Sequence, residues 1–184
     1  MKRFVLGLLA ASAMTATAYA ETPAIVYDLG GKFDKSFNEA AFNGAEQFKE
    51  ETGTEYVEFE IQNEAQREQA LRRFAERGHS PVIIAGFSAA QAVDKVAQEF
   101  PDTEFAIIDM VVDQPNVRSV VFKEQEGSYL AGIMAAKASE TGTVGFVGGM
   151  NVPLISAFAC GYVGGVKSVN PGAEVIVNYT GDTP

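Results

Sequence analysis

The residues best equipped for chemistry are Asp28, Asp34, Phe37 and Asn38, all within AIVYDLGGKFDKSFNEAAFNGAE at 24–46. An apolar strand, Ala24–Tyr27, runs into Asp28 and the pair Gly30–Gly31, and the run Asp34–Asn38 then opens a helix. Ser36 and Glu39 have capping-box spacing, which predicts Ser36 as the N-cap with Glu39 closing the first turn. A helix that opens just past the carboxyl end of a parallel strand has free backbone N–H groups and a partial positive charge. Ligands of open α/β sheets collect in that crevice. Phe37, the first helical residue, should be poorly packed by its own helix. An exposed aromatic beside fixed carboxylates and an amide suits a flat, hydroxyl-bearing ligand. The alternative is a surface strand-to-helix turn with a stapling phenylalanine.

Two further strand ends strengthen the binding reading. Asp109 closes the apolar run Phe105–Ile108, and Gly86–Phe87 closes Val82–Ala85. Parallel strands would deliver Asp28, Gly86, Phe87 and Asp109 to one rim, beside Phe37 and Asn38. Each residue alone also reads as a turn or cap. A carboxylate on that rim could accept two hydrogen bonds from vicinal hydroxyls, as a ribose offers.

Other chemistries find little support. The lone histidine, His79, sits in RGHSPV at the end of a helical pattern and reads as a C-terminal cap residue. Nothing near it resembles a nucleophile elbow. Cys160 is the single cysteine, which excludes an internal disulfide; in AFACGYVGGV it reads as a buried small hydrophobe. Cys, His and carboxylates do not cluster at metal-ligand spacing. Gly145-Phe146-Val147-Gly148-Gly149 is neither G-x-G-x-x-G nor a phosphate loop. No cofactor and no catalytic residue is expected.

The elements that must position these residues alternate regularly. Strands are predicted at 24–30, 55–61, 81–86, 103–109, 117–122, 143–148 and 173–179, and helices at about 36–51, 63–77, 88–100, 125–139 and 153–169. Ala89, Val93, Val96, Ala97 and Phe100 share one face of the third helix. Continuous apolar strands such as Val82–Ala85 suit a parallel sheet covered on both faces, hence an α/β protein. Gly161, Gly164 and Gly165 in the last helix are expected to permit close helix–sheet packing.

The N-terminus sets the compartment. Met1-Lys2-Arg3 is basic, Phe4 to roughly Ala16 is apolar, and Ala18-Tyr19-Ala20 is an A-x-A site before Glu21. That is the pattern of a secretory signal peptide over 1–20, without a cysteine for a lipid anchor. No later segment reaches about 18 consecutive apolar residues, so a soluble mature chain is expected. Losing Lys2 and Arg3 leaves 12 basic against 24 acidic residues, a net charge of −12. That disfavours nucleic acid and anionic membrane surfaces as partners.

Four blocks together carry a family resemblance: YDLGGKFDKSFNEAAFNG, IIAGFSAAQAVDKVAQEFPDTEFAIID, FKEQEGSYLAGIMAAKAS and GTVGFVGGMNVPLISAFACGYVGGV. Across 24–184 the chain resembles the basic-membrane-protein family, the substrate-binding proteins of ABC transporters, and within it the purine nucleoside receptor type. The resemblance implies a type I periplasmic-binding-protein fold, with two Rossmann-like lobes, a parallel sheet in each, closing on a ligand. It implies that Phe37 stacks on a purine, that Asn38 hydrogen-bonds the base with Asp28 and Asp34 in or near the base site, and that Asp109 holds ribose hydroxyls. Met150, just past strand 143–148, would take the corresponding place in the second lobe. The implied partners are a small-molecule nucleoside and an ABC transporter permease at the inner membrane; the implied location is the periplasm.

The family runs to well over 300 residues, whereas this sequence stops at Pro184. The expected division is a signal peptide (1–20), an N-terminal lobe (21–123) and the start of a second lobe (124–184). A fragment or truncated gene is expected, with apolar faces exposed at Leu130, Ile133 and Met134, and Glu124–Gly127 marking the first crossover and a hinge. A monomer is expected. Three classes of function remain open: a nucleoside importer subunit, a sensing receptor of the same fold, and a nucleoside hydrolase or dehydrogenase. Within the first, riboflavin or another flat ring is an alternative ligand.

Overall fold

Short runs of β-branched and aromatic residues punctuated by glycine and acidic turns give alternating strands and helices throughout the computed structural model, which describes residues 22–181. In chain order these are β1 (Ala24–Tyr27), α1 (Phe37–Thr52), β2 (Val57–Glu60), α2 (Gln66–Glu76), β3 (Val82–Ala85), a 3-10 turn (Phe87–Ala89), α3 (Ala90–Glu99), β4 (Phe105–Ile108) and β5 (Val117–Val120). Then follow α4 (Glu124–Ala138), β6 (Thr143–Gly148), α5 (Pro153–Val169) and β7 (Glu174–Tyr179). The signal-peptide reading, on residues 1–20, lies outside the described residues, as do 182–184. No helix among the described residues is long and apolar enough to cross a membrane.

The first five strands form one parallel sheet in the order β2-β1-β3-β4-β5. The chain leaves β1 toward β2 and then returns to its other side, so the topological switch point lies between β1 and β3, where such sheets bind ligands. Register aligns the strand ends. Tyr27 pairs with Glu60, Val26 with Ile84, and Ala85 with Ile108, which pairs with Val120. The following residues, Asp28, Gly86 and Asp109, therefore stand on one rim, as the spacing predicts.

The main core lies on one face of this sheet. Leu71, Phe74, Val93 and Val96 from α2 and α3 pack over Val26, Val82, Ile84, Phe105 and Ile107, all nearly inaccessible. Burying each such side chain contributes roughly 1.5–3 kcal/mol. The α3 stripe Ala89, Val93, Val96 and Ala97 is buried, with Phe100 packed at its margin. α2 ends as predicted near His79. Gly78 takes a left-handed φ of 76° and the His79 N–H donates to the Phe74 carbonyl at 3.0 Å, closing the last turn.

The opposite face is covered more thinly: Ile25, Tyr27 and Ala85 are buried there, and Ile83, Ala106 and Ile108 half-buried. α1 lies over it, with Asn38 its one fully buried residue. An apolar hollow of about 570 Å³ separates α1 from the sheet, lined in part by Ile25, Ala45, Phe48, Tyr56 and Ile83.

β6 and β7 form a separate parallel pair. α4 and α5 pack on each other, and the α5 glycines serve this helix–helix contact rather than the expected helix–sheet packing. A Cβ on Gly161 would lie 2.3 Å from the Gln125 carbonyl oxygen, one on Gly165 1.9 Å from that of Tyr129, and one on Gly132 2.1 Å from that of Tyr162. Turning its glycine face to α4 leaves Cys160 exposed, not buried as the sequence suggests. Leu130 and Met134 of α4 are 62% and 71% exposed, while Ile133 is half-buried.

Candidate functional site

The rim is built from the loop joining β1 to α1. Its cap differs from the predicted capping box. Ser36 occupies the N-cap position but makes no side-chain cap bond. Asp34 does the work instead, accepting from the N–H groups of Ser36 at 2.8 Å, Asn38 at 3.1 Å and Glu39 at 3.2 Å. Burial alone would raise the Asp34 carboxyl, but these backbone donors outweigh it and hold it below the usual carboxylate range. The Glu39 carboxylate reaches back to the Lys35 N–H at 3.1 Å, one residue earlier than a capping box requires.

Asn38 is 2% exposed and fully engaged by the protein. Its Oδ1 accepts from the Asp28 N–H at 3.0 Å, and its Nδ2 donates to the carbonyls of Asp28 at 3.0 Å and Gly31 at 3.2 Å. Both amide hydrogens clamp the loop in this arrangement.

Asp28 is likewise turned inward. Its Oδ1 accepts from the Leu29 N–H at 2.9 Å and from Arg67 Nε and Nη2 at 3.2 and 2.8 Å. Its Oδ2 accepts from Ser88 Oγ at 3.0 Å. Gly86, with φ 101°, stands so close that a Cβ there would lie 2.4 Å from Asp28 Oδ2. Both carboxylates thus hold the rim: Asp28 joins it to α2 and to the turn after β3, and Asp34 caps the start of α1.

The cavity lies between this rim and the α4–α5 pair. It measures about 770 Å³, and its lining includes Phe37, Asp109, Phe122, Glu124, Ser128 and Phe158. That volume falls within the usual range of small-molecule sites, and the mix of aromatic faces with few polar groups is typical of them. Of the residues singled out from sequence, Phe37 and Asp109 line it. Gly86 and Phe87 lie outside the lining, Gly86 at the Asp28 clasp and Phe87 in the turn after it, and Met150, half-buried past β6, is also outside.

Asp109 is held at φ 77°, a left-handed conformation uncommon for a residue with a side chain. Its N–H donates to the Val120 carbonyl at 2.8 Å, fixing the strand end. Burial, then the nearby Glu124 carboxylate, pushes its carboxyl above the ordinary range. Strained backbone and an unfavourably placed charge together make Asp109 a costly residue for stability. No group of three or more His, Cys, Asp or Glu side chains among the described residues could hold a metal ion.

Sequence reasoning missed Phe122, Phe158 and Arg67. Phe122 stands two residues past β5, on the rim that Asp109 marks, and that position was a usable signal. Phe158 faces the cavity only because the glycines draw α5 against α4. Arg67 lies in a helix with a charged solvent face, and nothing local announces that it is buried.

The family model for ABC transporter substrate-binding proteins of the PnrA-like type, Bmp, matches residues 22–184. A protein of Lactococcus lactis called ABC transporter nucleoside-binding protein BmpA is 37% identical over 163 residues, 86% of this chain and 46% of that protein. The CD4+ T-cell-stimulating antigen of Listeria monocytogenes is 36% identical over 167 residues, 88% of this chain and 47% of its own length. Among solved structures, an ABC transporter solute-binding protein of Aeropyrum pernix superposes with a TM-score of 0.78 at 32% identity, covering 89% of this chain and 49% of that one. The chain spans about half the length of the curated relatives it matches. With its parallel α/β architecture, of the type I periplasmic-binding-protein fold, it belongs to the Bmp family of PnrA-like ABC transporter substrate-binding proteins.

Proposed function

We propose that this chain is the ligand-capturing part of an extracytoplasmic solute-binding protein that takes a purine nucleoside between two lobes and hands it to an ABC importer. The observation that carries the reading is the cavity of about 770 Å³ in which an aromatic ring, Phe37, and a strained, raised-pKa carboxylate, Asp109, share one wall. Phe37 stacks on the base, and stacking gives affinity with little choice among bases. Asp109 accepts hydrogen bonds from the two ribose hydroxyls, which favour its ionised form. Phe122 and Phe158 supply further apolar wall. A nucleoside-binding relative at 37% identity supports the same class of ligand.

On this reading the first lobe is 21–123 and 124–184 begins the second, with the segment around Glu124 as hinge. Closure of the lobes encloses the ligand, and a permease at the inner membrane reads the closed form. The protein works in the periplasm after loss of a signal peptide, as a monomer, without cofactor, nucleic acid or catalytic turnover.

The test is calorimetric titration of the full-length gene product with inosine, guanosine and adenosine, and with cytidine, free hypoxanthine, riboflavin and ribose. Purine nucleosides should bind, and the free base and ribose should each bind far more weakly. Binding of riboflavin or ribose in place of any nucleoside would overturn the ligand. Release of free base from a nucleoside would overturn the reading as a non-enzymatic binder.

A further inference from the structure

We propose that Arg67 is the positioning residue of the ligand site, setting the height and angle of Phe37 through a relay it never shares with the ligand. This rests on the binding reading above and extends it to a residue outside the cavity lining.

Arg67 is 6% exposed, on the inner side of α2. It grips one oxygen of Asp28 through both Nε and Nη2, at 3.2 and 2.8 Å, and Glu64 lies 4.0 Å from its Nη1. Asp28 passes the constraint on in two directions. Its Oδ2 holds Ser88 Oγ at 3.0 Å, which ties down the turn after β3. Its backbone N–H and carbonyl are both bonded to the Asn38 side chain, and Asn38 is the residue beside Phe37 at the start of α1. One unbroken chain of hydrogen bonds thus links α2, the end of β1, the end of β3 and the first turn of α1. No other described cation is paired with Asp28.

The two-donor grip fixes an angle as well as a distance, because the guanidinium is planar. Beyond its first turn α1 is loosely seated, with the hollow of about 570 Å³ under Ala41, Gly44, Ala45 and Phe48, so the body of the helix does not by itself fix the direction of its N-terminus. The relay does. Removing the guanidinium leaves Phe37 in the cavity but free to tilt, so the ligand must order it on binding. Affinity then falls even though Arg67 touches nothing in the ligand.

The test uses Arg67→Met and Arg67→Lys in the full-length gene product. Leu71→Ala, on the core face of the same helix and away from the cavity, is the control for general destabilisation. Inosine affinity is measured by calorimetry at a temperature where circular dichroism shows every variant fully native. Hydrogen exchange is read in parallel for residues 28–40 and 86–89. The proposal expects inosine Kd to rise roughly tenfold or more for Arg67→Met and by less for Arg67→Lys, with Leu71→Ala unchanged. It also expects faster exchange across both loops in the Arg67 variants alone. If Arg67→Met does not fold, Arg67→Lys decides. Parental Kd and loop exchange in a native Arg67 variant would reduce the residue to a stabilising ion pair and overturn the proposal. If the parent binds no nucleoside, the ligand reading fails, and loop exchange alone judges the relay.

Discussion

Replacing Asn38 should unfold the rim rather than merely weaken a ligand contact. The Asn38 side chain is 2% exposed and makes three hydrogen bonds to backbone, two to Asp28 and one to Gly31. Each such bond contributes about 1 kcal/mol net, and a buried partner left bare costs about 1–3 kcal/mol. All three bonds are only partly buried, so water offsets part of that cost. Asn38→Ala should therefore cost about 3 kcal/mol. For a chain of this size that lowers Tm by roughly 6–12 °C. Asn38→Asp should be worse, since the added oxygen faces two carbonyls where hydrogens now lie. The assay is thermal and urea unfolding by circular dichroism, with Asn43→Ala on the exposed side of α1 as a control expected within about 0.5 kcal/mol of the parent. If Asn38→Ala melts within about 2 °C of the parent while nucleoside affinity collapses, the clamp is refuted and the residue is a ligand contact after all.

Other expectations follow from the same geometry. Gly86→Ala meets both a φ of 101° and a clash with Asp28 Oδ2, and should cost about 2 kcal/mol or more in urea unfolding. Gly165→Ala drives a methyl onto the Tyr129 carbonyl and should cost about 1–3 kcal/mol, whereas Gly164→Ala, whose Cβ lies 3.5 Å from the Tyr129 ring, should be neutral or slightly stabilising. Asp109→Asn tests the trade between stability and binding. Because the Asp109 carboxyl is raised in the folded state, its ionised form costs stability above that raised range and costs nothing below the unfolded value near pH 3.9. The variant should thus gain a few tenths of a kcal/mol over the parent at neutral pH, lose that gain as pH falls through the carboxylate range, and bind nucleoside more weakly throughout.

Much of the fold was legible because the signals were local. Runs such as Val82–Ala85 and Phe105–Ile108, bounded by turn residues, fix strands whatever surrounds them, and level strand ends bring Asp28, Gly86 and Asp109 to one rim. The chemistry of that rim was harder. A polar residue at a strand-to-helix turn either faces a ligand or ties down the loop, and the sequence around Asp28, Asp34 and Asn38 is compatible with both. The loop-tying bonds of Asp28 come from Arg67 and Ser88, 39 and 60 residues away, where no local pattern announces them. Cys160 fails for a related reason. α5 is apolar nearly all round, so periodicity does not say which side meets a neighbour, and the choice falls to the glycines and the backbone of α4. That Phe37 and Asp109 line the cavity was easier to anticipate, because each is costly where it stands: an aromatic at a helix start, a carboxylate at a strand end.

The most direct test of the account is a thermal-shift comparison of the full-length gene product and its Phe37→Ala variant with a purine nucleoside. At 100 times Kd the ligand should stabilise the parent by about 2.7 kcal/mol. Loss of a stacking face costs about 1–3 kcal/mol, so Phe37→Ala should weaken binding by roughly 5- to 150-fold and flatten the shift at the same concentration. An undiminished shift in Phe37→Ala would place the nucleoside elsewhere, and no shift in the parent would contradict the nucleoside reading itself.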